Sequence, residues 1–280
     1  MDAFDAAPGL RDDLPEPEPG TGELVVAVKA TSVNPVDPAI IGGFLRGMAD
    51  YRFPVTLGRD FAGVAEGSEV FGMVSPVGTE GVHRGAWAER IAVPADMHLA
   101  PKPASLSVAE AGAAALAGVT ALLCVEALDL KAGERVLIVG ANGGVGSFAV
   151  QLCAAAGARV IAPALEIDRA YLEGLGAAEV PERGSAPEAD ALIDLVSMDA
   201  EAFAANAANV SGKMSSPLPG IGERGAYIAA VSDPTAVARL GELIEAESIK
   251  VPICEAFGFG EIPAALSALG EHKQGKLSVV

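Results

Sequence analysis

Residues 136–152 read VLIVGANGGVGSFAVQL. An apolar run stops at a glycine-rich turn, and a second apolar run follows with helical spacing. In the G-x-G-x-x-G pattern the first position is Ala141, the second Gly143 and the third Gly146. Glycines here permit a tight turn and close packing of helix against strand. A helix opening at such a turn offers free backbone N–H groups and the positive end of its dipole, a seat for a phosphate. Alone the pattern is weak, because turns from strand to helix are often glycine-rich. Its neighbours add weight: a convincing strand precedes it, a helix follows, and a second strand, ARVIAPA (158–164), lies beyond. The combination predicts dinucleotide binding rather than a plain turn. A Walker-type loop is excluded, since the Gly-Lys-Ser/Thr it needs is missing.

Working outward, strand and helix patterns alternate: RVLIVG (135–140), GVGSFAVQLCAAAG (144–157), ARVIAPA, DRAYLEGLG (168–176), ADALIDLVS (189–197) and EAFAANAANV (201–210). Such alternation predicts a parallel sheet covered by helices. Ahead of it stands SLSVAEAGAAALAGVTALLCVEALDL (105–130), one long helix-forming run opened by a capping box of Ser107 and Glu110. The first hundred residues are β-rich. ELVVAVKATSV (23–33), FAGVAE (61–66), SEVFGMVS (68–75) and GAWAERIAVPA (85–95) read as strands of a small antiparallel, barrel-like unit. The tail, KVPICEAFGFGEIPAALSALGEHKQGKLSVV (250–280), returns to strand, helix, strand. SAPEAD (185–190) and SSPLPGIGERG (215–225) read as loops.

A chain of 280 residues suggests two domains, and 51% apolar residues suffice for both cores. The net charge of −18 repels nucleic-acid phosphates and anionic lipid, so neither partner is expected. Charge or turn residues break the apolar runs, and no membrane span is predicted. The acidic start, MDAFDAAPGLRDDLPEPEPG (1–20), is the reverse of a secretory or transit peptide, which makes the cytoplasm the expected address. Cys124, Cys153 and Cys254 sit far apart in apolar surroundings and read as buried thiols. No CxxC pair occurs, and His83, His98 and His272 do not reach ligand spacing, so no metal site is expected.

The end of the second strand should choose between nicotinamide cofactors, an acid serving NAD and a cation serving the extra phosphate of NADP. Residues 162–165 carry neither. Glu166 and Asp168 follow, then Arg169, which either faces a 2′-phosphate or stands solvated at a helix start.

Six motifs in order resemble the zinc-independent quinone oxidoreductase branch of the medium-chain dehydrogenase/reductase superfamily. They are SVNPVDPAI (32–40), PVTLGRDFAGVAE (54–66), GAWAERIAVPA (85–95), LAGVTAL (116–122), GERVLIVGANGGVGSFAVQL (133–152) and GKLSVV (275–280). The resemblance implies an α/β protein of two parts: a GroES-like, β-rich catalytic domain over 1–106 and 251–280, and a Rossmann domain with a doubly wound parallel sheet over 107–250. It further implies NADP(H) as cofactor, with NAD(H) not excluded, a small quinone or enone as acceptor, and a homodimer. Zinc-dependent relatives carry a metal-binding cysteine near where Asn34 stands and a histidine where Arg59 stands. Without such a Lewis acid an alkoxide is hard to stabilise. Hydride addition to a conjugated acceptor needs less help, because the developing charge delocalises.

Carried over by the resemblance, the cofactor-binding set is Asn34, Thr120, Gly140, Ala141, Gly143, Gly144, Val145, Gly146, Ala164, Arg169, Val196 and Lys276, and the catalytic pair is Asn34 and Tyr51. Asn34 either offers its amide where nicotinamide and substrate meet or begins a turn before Pro35. Thr120 either contacts the nicotinamide end or bonds back to its own helical turn. Tyr51 either lines the acceptor pocket or donates a proton, for which solvent is the alternative source, or is a half-buried tyrosine at a domain edge. Lys276 lies either at the cofactor cleft or in solvent. Arg59 and Asp60 are expected to form a structural charge pair. Two rival functions share these motifs: an enoyl-thioester or alkenal reductase, and a dinucleotide-binding sensor without turnover. The chain departs from the family in its very short link GVAEGSEVFG (63–72), its compressed 180–197 stretch and its irregular 209–225 segment.

Overall fold

The computed structural model describes residues 1–6, 8–47, 49–75, 81–96, 98–247 and 249–280. The chain runs β1 (Glu23–Val33), α1 (Val36–Ile41), β2 (Asp60–Ala65), β3 (Ser68–Met73), β4 (Arg90–Pro94), β5 (Leu99–Pro101), α2 (Val108–Ala111) and α3 (Ala115–Leu128). It continues β6 (Arg135–Val139), α4 (Gly144–Ala155), β7 (Arg159–Ile161), α5 (Arg169–Gly174), β8 (Ala191–Asp194), α6 (Ala200–Asn206), β9 (Met214–Ser216) and β10 (Ala226–Tyr227). It closes with α7 (Ala236–Glu247), β11 (Ile253–Phe257), α8 (Ile262–Ala268) and β12 (Lys276–Val279).

The β-rich part is a sheet ordered β11-β12-β1-β2-β3-β5, with β4 also on β1. All its pairs are antiparallel except β11 with β12. The 11-residue β1 is long enough to serve three partners, pairing β4 over its first half and β12 over its last residues. Gly63 lets β2 approach it: a Cβ there would lie 2.1 Å from the Ala27 carbonyl oxygen. The very short link of the sequence is a two-residue hairpin between β2 and β3. Glu66 (φ 49°) and Gly67 (φ 82°) take the left-handed conformations such a turn needs.

The second sheet is parallel throughout, ordered β10-β9-β8-β6-β7. Isolated bridges from Ile161 to Glu179 and from Ala164 to Glu182 prolong the ladder beyond β7. Its strands read as continuous apolar runs because both faces are covered. Val136, Ile138 and Ile193 join the core beneath α3 and α4, whereas Leu137 and Leu192 join Phe203 and Ile221 on the opposite face. Helices on both faces of a parallel sheet make the doubly wound Rossmann half. The antiparallel sheet is the GroES-like half, and the tail strands β11 and β12 belong to it.

Two expectations need correction. The 105–130 run is not one helix. Ser107 and Glu110 form their capping box on α2, but the chain breaks before α3. The break brings Gly112 against β1, where a Cβ would lie 2.6 Å from the Cβ of Ala30. Cys124 and Cys153 are buried, with burial pushing both thiols up to about 12, whereas Cys254 is exposed. It sits on β11, an edge strand whose middle faces solvent. Among the described residues, no helix is long and apolar enough to cross a membrane.

Candidate functional site

The glycine-rich turn leaves the carboxyl end of β6. Gly140 takes φ 85°, and a Cβ on it would meet Cγ1 of Val196 at 2.8 Å. The Gly143 N–H donates to the Gly140 carbonyl at 3.2 Å, and Gly143 then caps α4. Gly146 is the packing glycine, since a Cβ there would fall 2.3 Å from the Gly140 oxygen and 2.5 Å from Cα of the buried Ala141. Gly143 differs: a Cβ on it would meet nothing nearer than 3.5 Å. The Ser147 N–H makes the first bond to Gly143. The N–H groups of Gly144, the half-buried Val145 and Gly146 therefore have no acceptor within the helix. The open space at Gly143, where the helix begins, can hold an anion.

The C-terminal segment crosses this turn. The Gly275 N–H donates to the Asn142 carbonyl at 2.8 Å, and the Asn142 amide donates to the Lys273 carbonyl at 3.1 Å. The stem of Lys276 runs over Gly144, with Cδ 2.7 Å from where a Cβ would stand. Its Nζ donates to Oδ1 of Asn34 at 2.5 Å and lies 3.5 Å from Oδ2 of Asp60. Nδ2 of Asn34 donates to Asp60 Oδ2 at 2.9 Å and to Ser32 Oγ at 3.1 Å. Partner chemistry fixes this amide: an ammonium only donates and a carboxylate only accepts, so Oδ1 must face Lys276 and Nδ2 must face Asp60. Asp60 also accepts from the Ser32 hydroxyl at 2.5 Å and from the Leu116 N–H at 2.5 Å. Ala114, which precedes α3, has no capping side chain, so the Asp60 carboxylate from β2 supplies the missing acceptor. Thr120 stands one turn further on, its hydroxyl donating to the Leu116 carbonyl at 2.7 Å.

Lys276 is thus only 4% exposed, not in solvent. Asp60 is fully buried and pairs with Lys276 rather than with Arg59, which corrects the expected Arg59–Asp60 pair. Arg59, also buried, donates instead to the carbonyls of Ser75, Thr56 and Arg84. Adjacent strand residues point to opposite faces, and that alternation separates the two. Asp37 caps the same corner from α1, accepting from the N–H groups of Asn34 at 2.8 Å and Gly58 at 3.2 Å. Burial outweighs these bonds and the nearby Arg59 charge, and pushes its carboxyl up to about 6.

The remaining site residues lie around this centre. Val196 receives its position from Asp194, a buried carboxylate at the end of β8 that accepts from the N–H groups of Val196 and Ser197, each at 2.9 Å. Ala164 is engaged through both backbone groups, donating to the Pro181 carbonyl and accepting from the Arg183 N–H at 2.8 Å. Arg169 holds Glu166 with Nε at 3.0 Å and approaches Glu173 at 3.8 Å. Tyr51 is half-buried among Phe4 and Phe53, and its hydroxyl lies 3.3 Å from both the Ile40 carbonyl and the Leu45 N–H. The geometry therefore brings Asn34, Lys276, Gly144 and Thr120 into one connected centre, and Gly140, Ala141, Gly146 and Val196 into its floor. Tyr51, Ala164 and Arg169 bond elsewhere.

The sequence did not reveal Ser32 and Asp60 as the hub of that centre, nor Arg183. Arg183 is exposed at the end of the prolonged β7 ladder, and its side chain makes no ion pair among the described residues. Asp168, buried beside the turn, accepts from Gln274 at 3.0 Å and lies 3.1 Å from Nε2 of His272, so it clasps the segment that crosses the glycines. Among the described residues, no group of three His, Cys, Asp or Glu side chains could hold a metal ion. A cavity of about 880 Å³ lies under residues 8–17, lined by Leu57, Trp87 and Phe259, and none of the expected site residues lines it.

No family model matches the chain. A chloroplast envelope quinone oxidoreductase homolog of Arabidopsis thaliana is 33% identical over 187 residues, 60% of this chain and 54% of that protein. An acrylyl-CoA reductase of Ruegeria pomeroyi is 34% identical over 236 residues, 78% of this chain and 66% of the relative. The chain spans about half the length of the first curated relatives it matches, 54%, 56% and 45% of three of them. The solved quinone oxidoreductase of Thermus thermophilus, studied also with NADPH, superposes with a TM-score of 0.82 at 25% identity, covering 100% of this chain and 99% of that one.

Proposed function

The chain belongs to the quinone oxidoreductase branch of the medium-chain dehydrogenase/reductase superfamily, and from that membership we propose that it reduces an electron-poor quinone or α,β-unsaturated carbonyl with NADPH and without a metal. The observation that carries this reading is the open backbone at Gly143 in front of α4, beside the buried centre of Asn34, Asp60 and Lys276. A dinucleotide fits there: the N–H groups of Gly144, Val145 and Gly146 receive its pyrophosphate, with Lys276 alongside. Residues 107–250 then carry the cofactor, and residues 1–106 with 251–280 carry the acceptor.

When bound, the reduced nicotinamide supplies the hydride. The protein's part is to hold the acceptor at near-attack distance and keep water out. Gly140 and Val196 form the floor beneath the ribose, and Asn34 and Thr120 border the nicotinamide end. The Tyr51 hydroxyl is engaged by Ile40 and Leu45, so the proton that completes the reduction comes from solvent. A quinol oxyanion needs little more. An enoyl thioester is the second acceptor class, favoured by the similarity to acrylyl-CoA reductase over 78% of the chain.

The test titrates the purified protein with NADPH and NADH, then adds para-benzoquinone or crotonyl-CoA. Saturable NADPH binding followed by oxidation on adding quinone is expected. Oxidation with the thioester alone moves the acceptor class, and binding with no oxidation supports a sensor. Failure to bind either nucleotide refutes the reading.

A further inference from the structure

Asp60 is fully buried, yet four parts of the chain converge on it: it accepts from Ser32 on β1, Asn34 before α1 and Leu116 on α3, and the Lys276 ammonium on β12 lies 3.5 Å away. Lys276 is the cation whose stem crosses the first residue of α4. Its ammonium, however, points back to Asn34 and Asp60. A phosphate seated on α4 and the Asp60 carboxylate are both anions, and both are drawn to the same ammonium. We propose that Asp60 is a positioning residue that competes with the cofactor pyrophosphate for Lys276, limiting cofactor affinity while it orders Asn34 and the start of α3. This inference rests on the dinucleotide reading above.

Hydrogen-bond chemistry gives the sign of the test. In Asp60→Asn, the side-chain oxygen can keep the Leu116 N–H, which turns its NH2 toward Ser32 and Asn34. Asn34 must then rotate to offer Oδ1 to that NH2, and its own Nδ2 faces Lys276, donor against donor. Lys276 loses both partners, and its flexible stem carries the ammonium toward the pyrophosphate seat. Damage to the fold would weaken binding; release of Lys276 strengthens it. Only the second agrees with the proposal.

The experiment measures NADPH dissociation constants by nucleotide fluorescence for the wild type, D60N and the double variant D60N/K276M. We expect D60N to bind about tenfold tighter than wild type, with kcat lowered by slower product release and a less ordered Asn34. D60N/K276M should lose that gain. Binding by D60N that is unchanged or weaker overturns the proposal, as does a double variant that binds as tightly as D60N. Should D60N fail to fold, Asp60→Ser, which removes the charge and keeps a hydroxyl for the Leu116 N–H, takes its place in the same pair of measurements: tighter NADPH binding that Lys276→Met abolishes is expected, and unchanged or weaker binding overturns the proposal. A wild-type chain that binds neither NADPH nor NADH refutes the dinucleotide reading itself, and this inference with it.

Discussion

Two arginines flank the carboxyl end of β7, and their surroundings differ. Arg169 follows the strand closely, but its guanidinium is held by Glu166 at 3.0 Å with Glu173 also near, so its charge is largely neutralised before any ligand arrives. Arg183 lies further along the chain. Its N–H on the Ala164 carbonyl nevertheless places it at the same strand end, with its side chain exposed. The ribose of a dinucleotide sits at that end, and a 2′-phosphate seeks an uncommitted cation there. Arg183→Ala should therefore weaken NADPH about tenfold and leave NADH within about twofold, the difference being one charge-assisted contact. Arg169→Ala should change both nucleotides by less than about twofold, as exposed, screened pairs do. Paired titrations check this, and a selective NADPH loss in the Arg169 variant would return the role to that residue. The sequence pointed to Arg169 because it lies near the strand in the chain. The sequence marked 180–197 only as a compressed stretch, and nothing local announces that Pro181 and Glu182 continue the ladder.

At the scale of elements, the start of α4 was legible because its requirements are local. A strand, a turn with glycines at fixed offsets and an apolar helix imply one another. The structure then separates two glycines that the pattern treats alike. Gly143 has φ −77° and ψ 179°, a conformation open to alanine, and free space in front of it. Gly146 is pressed against the backbone of Gly140 and Ala141. Gly143→Ala should cost less than about 0.5 kcal/mol of stability yet weaken NADPH at least about tenfold, because the methyl would fill the proposed pyrophosphate seat. Gly146→Ala should destabilise the fold by about 1–3 kcal/mol through overpacking. Denaturant melts and nucleotide titrations of both variants separate the effects; equal losses of stability would remove the distinction. The capping box at Ser107 and Glu110 was local too, and it was legible. The break before α3 was not, because the close approach it allows, of Gly112 to Ala30 on β1, involves a distant strand. The cap of α3 was hidden for the same reason: its acceptor, Asp60, lies 56 residues from Leu116. The bond between Asn34 and Lys276 spans 242 residues, and no spacing rule reaches that far.

For the whole molecule, the net charge of −18 bears on how an anionic nucleotide arrives. Two of the cations around the start of α4 are compensated, Lys276 by Asp60 and Arg169 by Glu166. The row of N–H groups opening α4 also attracts a phosphate, but its field falls off within a turn. At long range the acidic surface dominates and repels the ligand. Screening shortens that repulsion, the Debye length falling from about 30 Å at 0.01 M salt to about 8 Å at 0.15 M. Contacts at the start of α4, as proposed, would be partly buried and would feel the salt less. Added salt should therefore speed association, so stopped-flow kon for NADPH should rise about threefold between 10 and 150 mM KCl, with koff changing less. A kon that falls with salt would mean that exposed cations such as Arg183 guide the nucleotide in, and that the local field rather than the net charge governs its approach.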